Sequence, residues 1–156
     1  MNPGQQAIPG AITGGCQCGA VRYVMHVGRL EKPHVCHCRM CQRATGGVFA
    51  ALAGCPKASL EWVKGRPAVF SSSNLAERGF CRDCGTPLSF SYLDPKARIY
   101  VTIGSLDEPE KAAIEIQYGI ESKLPWVRFC EDVPGEITGG APEAAQFFAG
   151  LKSNQG

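Results

Sequence analysis

Seven of the nine cysteines of this 156-residue chain fall into three short clusters, and their spacing indicates metal binding. The clusters are Cys16-Gln17-Cys18, Cys36-His37-Cys38-Arg39-Met40-Cys41 and Cys81-Arg82-Asp83-Cys84. A structural zinc site is usually closed by four protein ligands, whereas a catalytic one keeps a position free for water or substrate. The outer clusters together supply four thiols and the middle cluster supplies three. The sequence therefore predicts one closed zinc site and one open site suited to chemistry.

The closed site would be a structural zinc that joins two distant parts of the chain. Its expected ligands are Cys16, Cys18, Cys81 and Cys84. Gly19 and Gly85 follow the two pairs, and a glycine there allows the backbone to turn tightly toward the sulfurs. Because zinc binding of this kind is coupled to folding, the fold should depend on it. The alternative is two unrelated pairs of free thiols.

The second site would hold zinc through Cys36, Cys38 and Cys41. Three thiolates around Zn²⁺ carry a net charge of −1, so the ion is a weaker Lewis acid than one held by three histidines. Its natural fourth ligand is soft, such as another thiolate. A thiol bound there would lose its proton near neutral pH. This donor set points to thiol chemistry rather than to hydrolysis.

A fourth protein ligand could instead close the second site. The candidates are His34, His37, Cys55 and Cys130. His37 lies between two ligands, so its side chain should point away from a metal that they share and pack behind them. His34 is the nearest other candidate in sequence. Cys55 and Cys130 are more simply read as small apolar side chains that are partly buried.

Composition favours one globular domain over residues 12–152, with flexible ends at 1–11 and 153–156. Hydrophobic residues make up 44% of the chain, which provides a core. The sequence contains no run of 18 apolar residues, so we do not expect a membrane span. The first fourteen residues lack the basic start and apolar stretch of a signal peptide. An odd cysteine count without an export signal favours a reducing compartment, so we expect a cytoplasmic protein.

The charge distribution argues against nucleic acid as a partner. The formal charge is +2, and two zinc ions with seven thiolates would add four positive and seven negative charges, leaving about −1. A local basic rim near the middle cluster, formed by Lys32, Arg39 and Arg43, could still attract a small anion.

Short β-like runs separated by glycine and proline predict a mainly β domain. Val21, Tyr23 and Met25 alternate with Arg22, Val24 and His26, as in a half-buried strand. The other predicted strands are 48–53, 59–63, 68–71, 87–92, 98–103 and 113–118. A short helical turn is expected at 38–44 and a terminal helix at 142–151. The aromatic side chains expected in the core are Trp62, Phe70, Phe80, Phe90 and Tyr100.

Five stretches of the chain carry a resemblance to a known family. They are residues 14–23 (GGCQCGAVRY), 36–46 (CHCRMCQRATG), 80–88 (FCRDCGTPL), 104–107 (GSLD) and 122–126 (SKLPW). In order and spacing, over roughly residues 12–130, they resemble the glutathione-dependent formaldehyde-activating enzyme family. The resemblance implies a β-tent fold, in which small antiparallel sheets are pinned by a structural zinc. It also implies that glutathione binds through its sulfur at a second zinc.

The resemblance further implies a carbon–sulfur lyase-like activity that joins glutathione and formaldehyde into S-(hydroxymethyl)glutathione. Glutathione carries two carboxylates, so a cation near the second zinc is expected, and Arg43 and Lys123 are the candidates. Trp126 could form a wall of the pocket. Ordinary solvated charges and a core tryptophan are the simpler interpretations of these three residues.

Three functions remain open from the sequence. The first is the zinc-dependent enzyme acting on a thiol and a small aldehyde, in which the protein contributes thiolate formation and positioning. The second is a non-catalytic zinc module with both metals structural, which recognises a partner protein. The third is a redox or metal-buffering protein, which would release zinc readily on mild oxidation.

Overall fold

The computed structural model describes residues 10–129 and 131–152. The predicted flexible ends therefore lie outside the described residues, apart from Gly10 and Ala11, and so does Cys130. Among the described residues, no helix is long and apolar enough to cross a membrane.

Eleven strands, two short α-helices and four single-turn 3-10 helices make up the regular structure of the described chain. The strands are β1 (Ile12–Gly15), β2 (Arg22–Met25), β3 (Glu31–Cys36), β4 (Ala50–Pro56), β5 (Leu60–Lys64), β6 (Ala68–Ser71), β7 (Ala76–Phe80), β8 (Pro87–Tyr92), β9 (Arg98–Thr102), β10 (Ile116–Tyr118) and β11 (Gly135–Glu136). The helices are α1 (Arg39–Thr45) and α2 (Pro142–Phe148). The prediction of a mainly β protein with short helical turns is confirmed.

The strands form two sheets. A three-stranded antiparallel sheet has the order β1-β2-β5, and an eight-stranded sheet has the order β11-β10-β3-β4-β9-β8-β7-β6. The expectation of antiparallel pairing holds for most of the larger sheet, but β10 pairs in parallel with both β3 and β11. Parallel neighbours need a crossover connection, and a long excursion through β4–β9 separates β3 from β10 in the chain.

The core is built from the inner faces of both sheets. In β2 and just before it, Val21, Tyr23 and Met25 are buried while Arg22 and Val24 are less so, which confirms the predicted alternation. These side chains pack with residues of the larger sheet, among them Leu88 and Val101. Complete burial of a side chain such as Leu88 contributes about 1.5–3 kcal/mol. Apolar packing therefore joins the two sheets.

Two of the predicted core aromatics lie at the surface instead. Phe70 is 43% exposed and Phe80 is 37% exposed, so the prediction was wrong for them. Phe70 lies in β6, which is the edge strand and has a hydrogen-bonded neighbour on one side only. Phe80 ends β7, the strand next to that edge. Trp62, Phe90 and Tyr100 are partly buried against the two core clusters, as expected.

Candidate functional site

The first cysteine cluster brings four sulfurs to one point. The ligand atoms of Cys16, Cys18, Cys81 and Cys84 all lie within 4.8 Å of one another. The Sγ atoms of Cys16 and Cys18 are 3.5 Å apart, and those of Cys18 and Cys81 are 3.7 Å apart. Zinc–sulfur bonds of about 2.3 Å in a tetrahedron place sulfurs about 3.8 Å apart. The donor set and its spacing therefore fit a zinc ion.

The backbone around this cluster is folded toward the sulfurs. Gly19 and Gly85 have φ angles of +75° and +76°, so the predicted tight turns are confirmed. The amide of Val21 donates to the Cys16 sulfur at 3.2 Å. Hydrogen bonds with Thr86, from its hydroxyl and its backbone, lower the pKa of Cys84 to about 6. The turn around Thr86 thus favours the thiolate form of Cys84 before any metal binds.

The first cluster also joins the two sheets. Cys16 and Cys18 lie between β1 and β2 of the small sheet, whereas Cys81 and Cys84 lie in the turn between β7 and β8 of the large one. A metal bound there would link two segments more than sixty residues apart in sequence. Such a link restricts the unfolded chain strongly, because it closes a long loop.

The second cluster is local in sequence. Cys36 ends β3, Cys38 is the N-cap of α1, and Cys41 lies in the first turn of that helix. The three ligand atoms lie within 4.8 Å of one another. The Cys38 sulfur accepts from the backbone N–H of Cys41 at 3.4 Å, so the cap itself holds one ligand in place. The helix predicted over 38–44 is confirmed, shifted by one residue at each end.

A second element presses against the N-cap. Gly119 follows β10 and has a φ of +63°, and a Cβ there would come within 2.8 Å of the Cys38 nitrogen. Any other residue would force this contact to open. His37 is fully buried and shares a 2.9 Å hydrogen bond between its Nε2 and the Gln117 Oε1. His37 thus packs behind the ligands, and its Nδ1 has no hydrogen-bond partner among the described residues.

No fourth ligand joins the second cluster among the His, Cys, Asp and Glu residues that the structure describes. His34 is buried, but its Nδ1 shares a hydrogen bond with the carbonyl oxygen of Lys32 at 2.9 Å. Its ring packs between Tyr100 and Tyr118, with centroids 5.2 and 5.0 Å away. Cys55 is fully buried in the other core cluster, as a small apolar side chain.

Arg78 of β7 is the cation beside the second cluster. Its Nη2 donates to the Cys41 sulfur at 3.4 Å and its Nε donates to the hydroxyl of buried Ser72 at 3.0 Å. The guanidinium carbon also lies 4.8 Å from the centre of the Phe90 ring. These three contacts hold the positive charge against a group of thiols.

The three thiols differ in acidity. Hydrogen bonds from Cys36 and Cys38, together with the charge of Arg78, hold the pKa of Cys41 well below its usual value. Hydrogen bonds with Cys38 and Cys41 raise the pKa of Cys36. Cys41 is therefore the thiol that carries charge most readily, and a divalent cation would stabilise the other two as thiolates.

A cavity of about 550 Å³ lies over this cluster. The three cysteines form part of its lining, together with Arg78, and much of the rest is aromatic or aliphatic. The other principal lining residues are Lys32, His34, Leu52, Phe90, Tyr92, Tyr100, Tyr118, Glu136, Ile137, Ala144, Phe148 and Leu151. Lys32 stands out because it has a φ of +40°, at a point where the pairing of β3 with β4 shifts register. A metal here would face a volume large enough for a small molecule.

The residues predicted to contact glutathione do not line this cavity. Arg43 is exposed on α1 and lines a smaller neighbouring cavity of about 360 Å³, which shares Leu52, Arg78 and Phe90 with the larger one. Lys123 is half-buried after a short turn, and Trp126 is 67% exposed. Arg78 was missed, because no local sequence pattern points to it. Only strand pairing brings it to Cys41.

This chain is similar to one protein family and to individual known proteins. The family model described as glutathione-dependent formaldehyde-activating enzyme matches residues 11–121, which include all seven clustered cysteines. An uncharacterized lyase of Schizosaccharomyces pombe is 28% identical over 110 residues, covering 70% of this chain and 79% of that protein. A crystal structure of a Rhodobacter sphaeroides protein is similar with a TM-score of 0.46 and 21% identity, over 80% of this chain and 99% of that one. On the family match, this chain belongs to the glutathione-dependent formaldehyde-activating enzyme family.

Proposed function

We propose that this chain is a zinc-dependent enzyme of the lyase type that makes or breaks the carbon–sulfur bond of a thiol–aldehyde adduct. The observation that carries the proposal is the group of three thiols in the wall of a cavity, with no fourth ligand among the described residues. Membership of the family and a relative named as a lyase support the reaction class. Glutathione and formaldehyde are the proposed substrates, and S-(hydroxymethyl)glutathione is the proposed product.

Cys36, Cys38 and Cys41 would hold the zinc ion. When bound, zinc would supply a Lewis acid with one position for a thiol sulfur and would lower the pKa of that thiol. The chain's own part is to fix the three ligands through the N-cap of α1 and to place Arg78 beside them. The arginine offsets negative charge that accumulates when a fourth sulfur arrives as an anion.

The proposed reaction is an addition in which nothing is oxidised or reduced. The sulfur forms a bond to the aldehyde carbon, the carbonyl π bond breaks, and the proton that leaves the thiol ends on the new hydroxyl oxygen. Tyr92 and Tyr100 line the cavity, and burial raises the pKa of both phenols. They therefore remain protonated at neutral pH and can donate a hydrogen bond to the carbonyl or hydroxyl oxygen.

The charges around the cavity suit glutathione, which at neutral pH has two carboxylates and one ammonium group. Lys32 and Arg78 supply two cations and Glu136 supplies one carboxylate. The proposed contacts of Arg43, Lys123 and Trp126 would require the substrate to extend beyond this cavity. Arg43 is the nearest of the three to such a path, since its cavity shares a wall with the larger one. Because so many thiols must stay reduced to bind metal, we propose the cytoplasm as the location.

Exchange NMR of glutathione with formaldehyde tests the proposal. The zinc-loaded protein is expected to raise the exchange rate between free and adduct forms, and Cys38→Ser should remove that increase. Cys55→Ala is the matched control, because Cys55 is a buried cysteine that belongs to neither cluster. Equal rates with wild type, Cys38→Ser and no protein would contradict the enzymatic role. A non-catalytic zinc module that binds a partner protein would then be the better explanation.

A further inference from the structure

The far wall of the larger cavity comes from the end of the chain. We call residues 136–151 the C-terminal segment. From it, the cavity is lined by residues that include Glu136, Ile137, Thr138, Ala144, Phe148 and Leu151. This segment lies beyond the part of the chain that the family model matches, which ends at residue 121. The metal ligands and this wall therefore come from different parts of the sequence.

Most of this wall is apolar or small. Its one charged group is Glu136, at the end of β11, and the rest of its lining is aliphatic, aromatic, glycine, alanine or threonine. Ala144 and Phe148 lie four residues apart on α2, so they share one face of that helix, and this face meets the cavity. A wall of this kind discriminates by shape and size rather than by hydrogen bonds.

The segment is held at its end by one side chain. Asn74 donates from Nδ2 to the carbonyl oxygen of Gly150 at 2.8 Å, and its Oδ1 accepts from the backbone N–H of Lys152 at 2.7 Å. A backbone bond from Asn74 to Lys152 adds to this. Asn74 is exposed and does not line the cavity, so it acts as a latch outside it.

Aromatic contacts complete the attachment. The ring centroids of Phe147 and Phe148 lie 5.1 and 6.4 Å from that of Tyr92, which also lines the cavity. No residue of α2 is fully buried, so the helix rests on the cavity rather than within the core. Pairing of Glu136 with Tyr118 holds the start of the segment, and the ring contacts and the latch hold the part that contains α2.

We propose that the C-terminal segment determines which thiols reach the three cysteines, by the size and apolar shape of the group attached to the sulfur. The proposal rests on the proposed thiol chemistry of the same site. In this arrangement, the part of the chain shared with the family holds the metal, and the segment beyond it selects the substrate. The selected class is a thiol whose body fits beside Ala144 and Phe148.

Filling the wall tests selection directly. Ala144→Phe places a ring in the cavity, and Ala149→Phe makes the same change at an exposed position that does not line it. Calorimetry on zinc-loaded protein would give dissociation constants for glutathione and for 2-mercaptoethanol. We expect Ala144→Phe to weaken glutathione binding about tenfold or more and to change 2-mercaptoethanol binding by less than about twofold. Parallel changes for both thiols, or equal effects of Ala144→Phe and Ala149→Phe, would overturn the proposal.

Releasing the latch tests the wall without any substrate. Zinc-loaded wild type and Asn74→Ala would be alkylated with N-ethylmaleimide and with a bulky fluorescein maleimide, and each cysteine followed by peptide mass spectrometry. We expect Asn74→Ala to speed bulky labelling of Cys36, Cys38 and Cys41 about fivefold, because the wall opens more often. The four-cysteine cluster serves as an internal control, since none of its residues lines this cavity. Unchanged labelling rates, or an equal rise at both clusters, would contradict the proposal that the C-terminal segment restricts access to the three cysteines.

The two experiments separate this inference from the function beneath it. Thiol binding by wild type without a size-dependent effect of Ala144→Phe would overturn the selection alone. Size-dependent labelling at Cys36, Cys38 and Cys41, in a protein that binds neither thiol, would support the wall and overturn the proposed thiol chemistry.

Discussion

The two cysteine clusters use the same donor atom and differ in what surrounds it. The four-cysteine cluster lies in two turns that belong to different sheets, and it has four thiols within 4.8 Å of one another. The three-cysteine cluster lies within six consecutive residues and borders a cavity of about 550 Å³. Under the proposed function, ligand number and chain separation, rather than ligand type, would distinguish a site that holds the fold from one that binds substrate.

The largest expected effect is the loss of folding when the four-cysteine cluster is disrupted. Structural zinc contributes on the order of 10 kcal/mol to small zinc-finger peptides, which is comparable to the whole stability of a typical domain. Cys81→Ser should therefore give insoluble or unfolded protein, because Cys81 is fully buried and links the two sheets. Circular dichroism, gel filtration and zinc content measure this outcome.

Cys55→Ala is the control for Cys81→Ser, since Cys55 is equally buried but lies in neither cluster. It should remain folded and lose about 1–2 kcal/mol, as expected for a small change in a packed core. A soluble Cys81→Ser protein with the wild-type spectrum would show that the four-cysteine cluster does not hold the fold.

The second expected effect concerns the coordination position that the three-cysteine cluster leaves to a ligand. Cobalt in place of zinc reports its ligands through its visible spectrum. We expect two cobalt ions per chain, of which only one changes its absorption when glutathione is added. Cys38→Ser should remove that change and leave the absorption of the other ion intact.

Glutathione disulfide is the matched ligand for the cobalt experiment, because it has the same carboxylates and no thiol. It should leave both spectra unchanged. A spectral change at both ions, or at neither, would remove the difference in role between the two clusters.

The third expected effect is electrostatic and confined to the three-cysteine cluster. Arg78→Gln removes a positive charge 3.4 Å from the Cys41 sulfur, and at that range a pair of opposite charges interacts by about 1 kcal/mol in water and about 5 kcal/mol near a protein surface. Glutathione affinity should fall about tenfold or more in Arg78→Gln, and Arg78→Lys should have an affinity between those of wild type and Arg78→Gln. The zinc content of the four-cysteine cluster should stay the same.

Two further arginine variants are needed to interpret the effect of Arg78→Gln on glutathione affinity. Arg29→Gln changes an exposed arginine that lines neither cavity and should leave glutathione affinity unchanged. Arg43→Gln tests whether the substrate extends into the smaller cavity. No change with Arg43→Gln would restrict glutathione to the larger cavity, and no change with Arg78→Gln would remove Arg78 from the site.

The parts of the molecule that were predictable from sequence are those with local signals. Cysteine spacing anticipated both clusters, because their ligands come as short pairs and triplets that reach one point without knowledge of the fold. The alternation around Tyr23 identified β2, and strands β6 and β8 were predicted at their observed bounds. The terminal helix was predicted from the same residue at which α2 begins, Pro142.

The parts that were missed depend on contacts between distant residues. β3 contains Pro33 and three consecutive buried residues, so it lacks a strand's alternation, and only its pairing with β4 and β10 shows that it is a strand. Arg78 reaches Cys41, 37 residues away in sequence, through strand order. Likewise, nothing near Phe148 indicates that its helix covers a cavity. Sheet topology positions these residues, and topology has no local signature.

The smallest expected effect is that of an ion pair made by the small sheet, which we compare with the four-cysteine cluster. Arg22 of the small sheet forms an ion pair with Asp107, which also accepts a hydrogen bond from Thr13 at 2.6 Å. Both side chains are about one third or more exposed, at 34% and 41%, so solvent screens the pair. The hydrogen bond from Arg22 lowers the pKa of Asp107, and the resulting stabilisation is present at neutral pH and lost only as pH falls through that lowered pKa.

A double-mutant cycle of Arg22→Gln and Asp107→Asn, measured by urea unfolding at neutral pH, should give a coupling energy of about 0.5–1 kcal/mol. If the coupling approached the loss caused by Cys81→Ser, the joint would depend on ordinary side-chain contacts and the four-cysteine cluster would no longer stand apart as the link between the sheets.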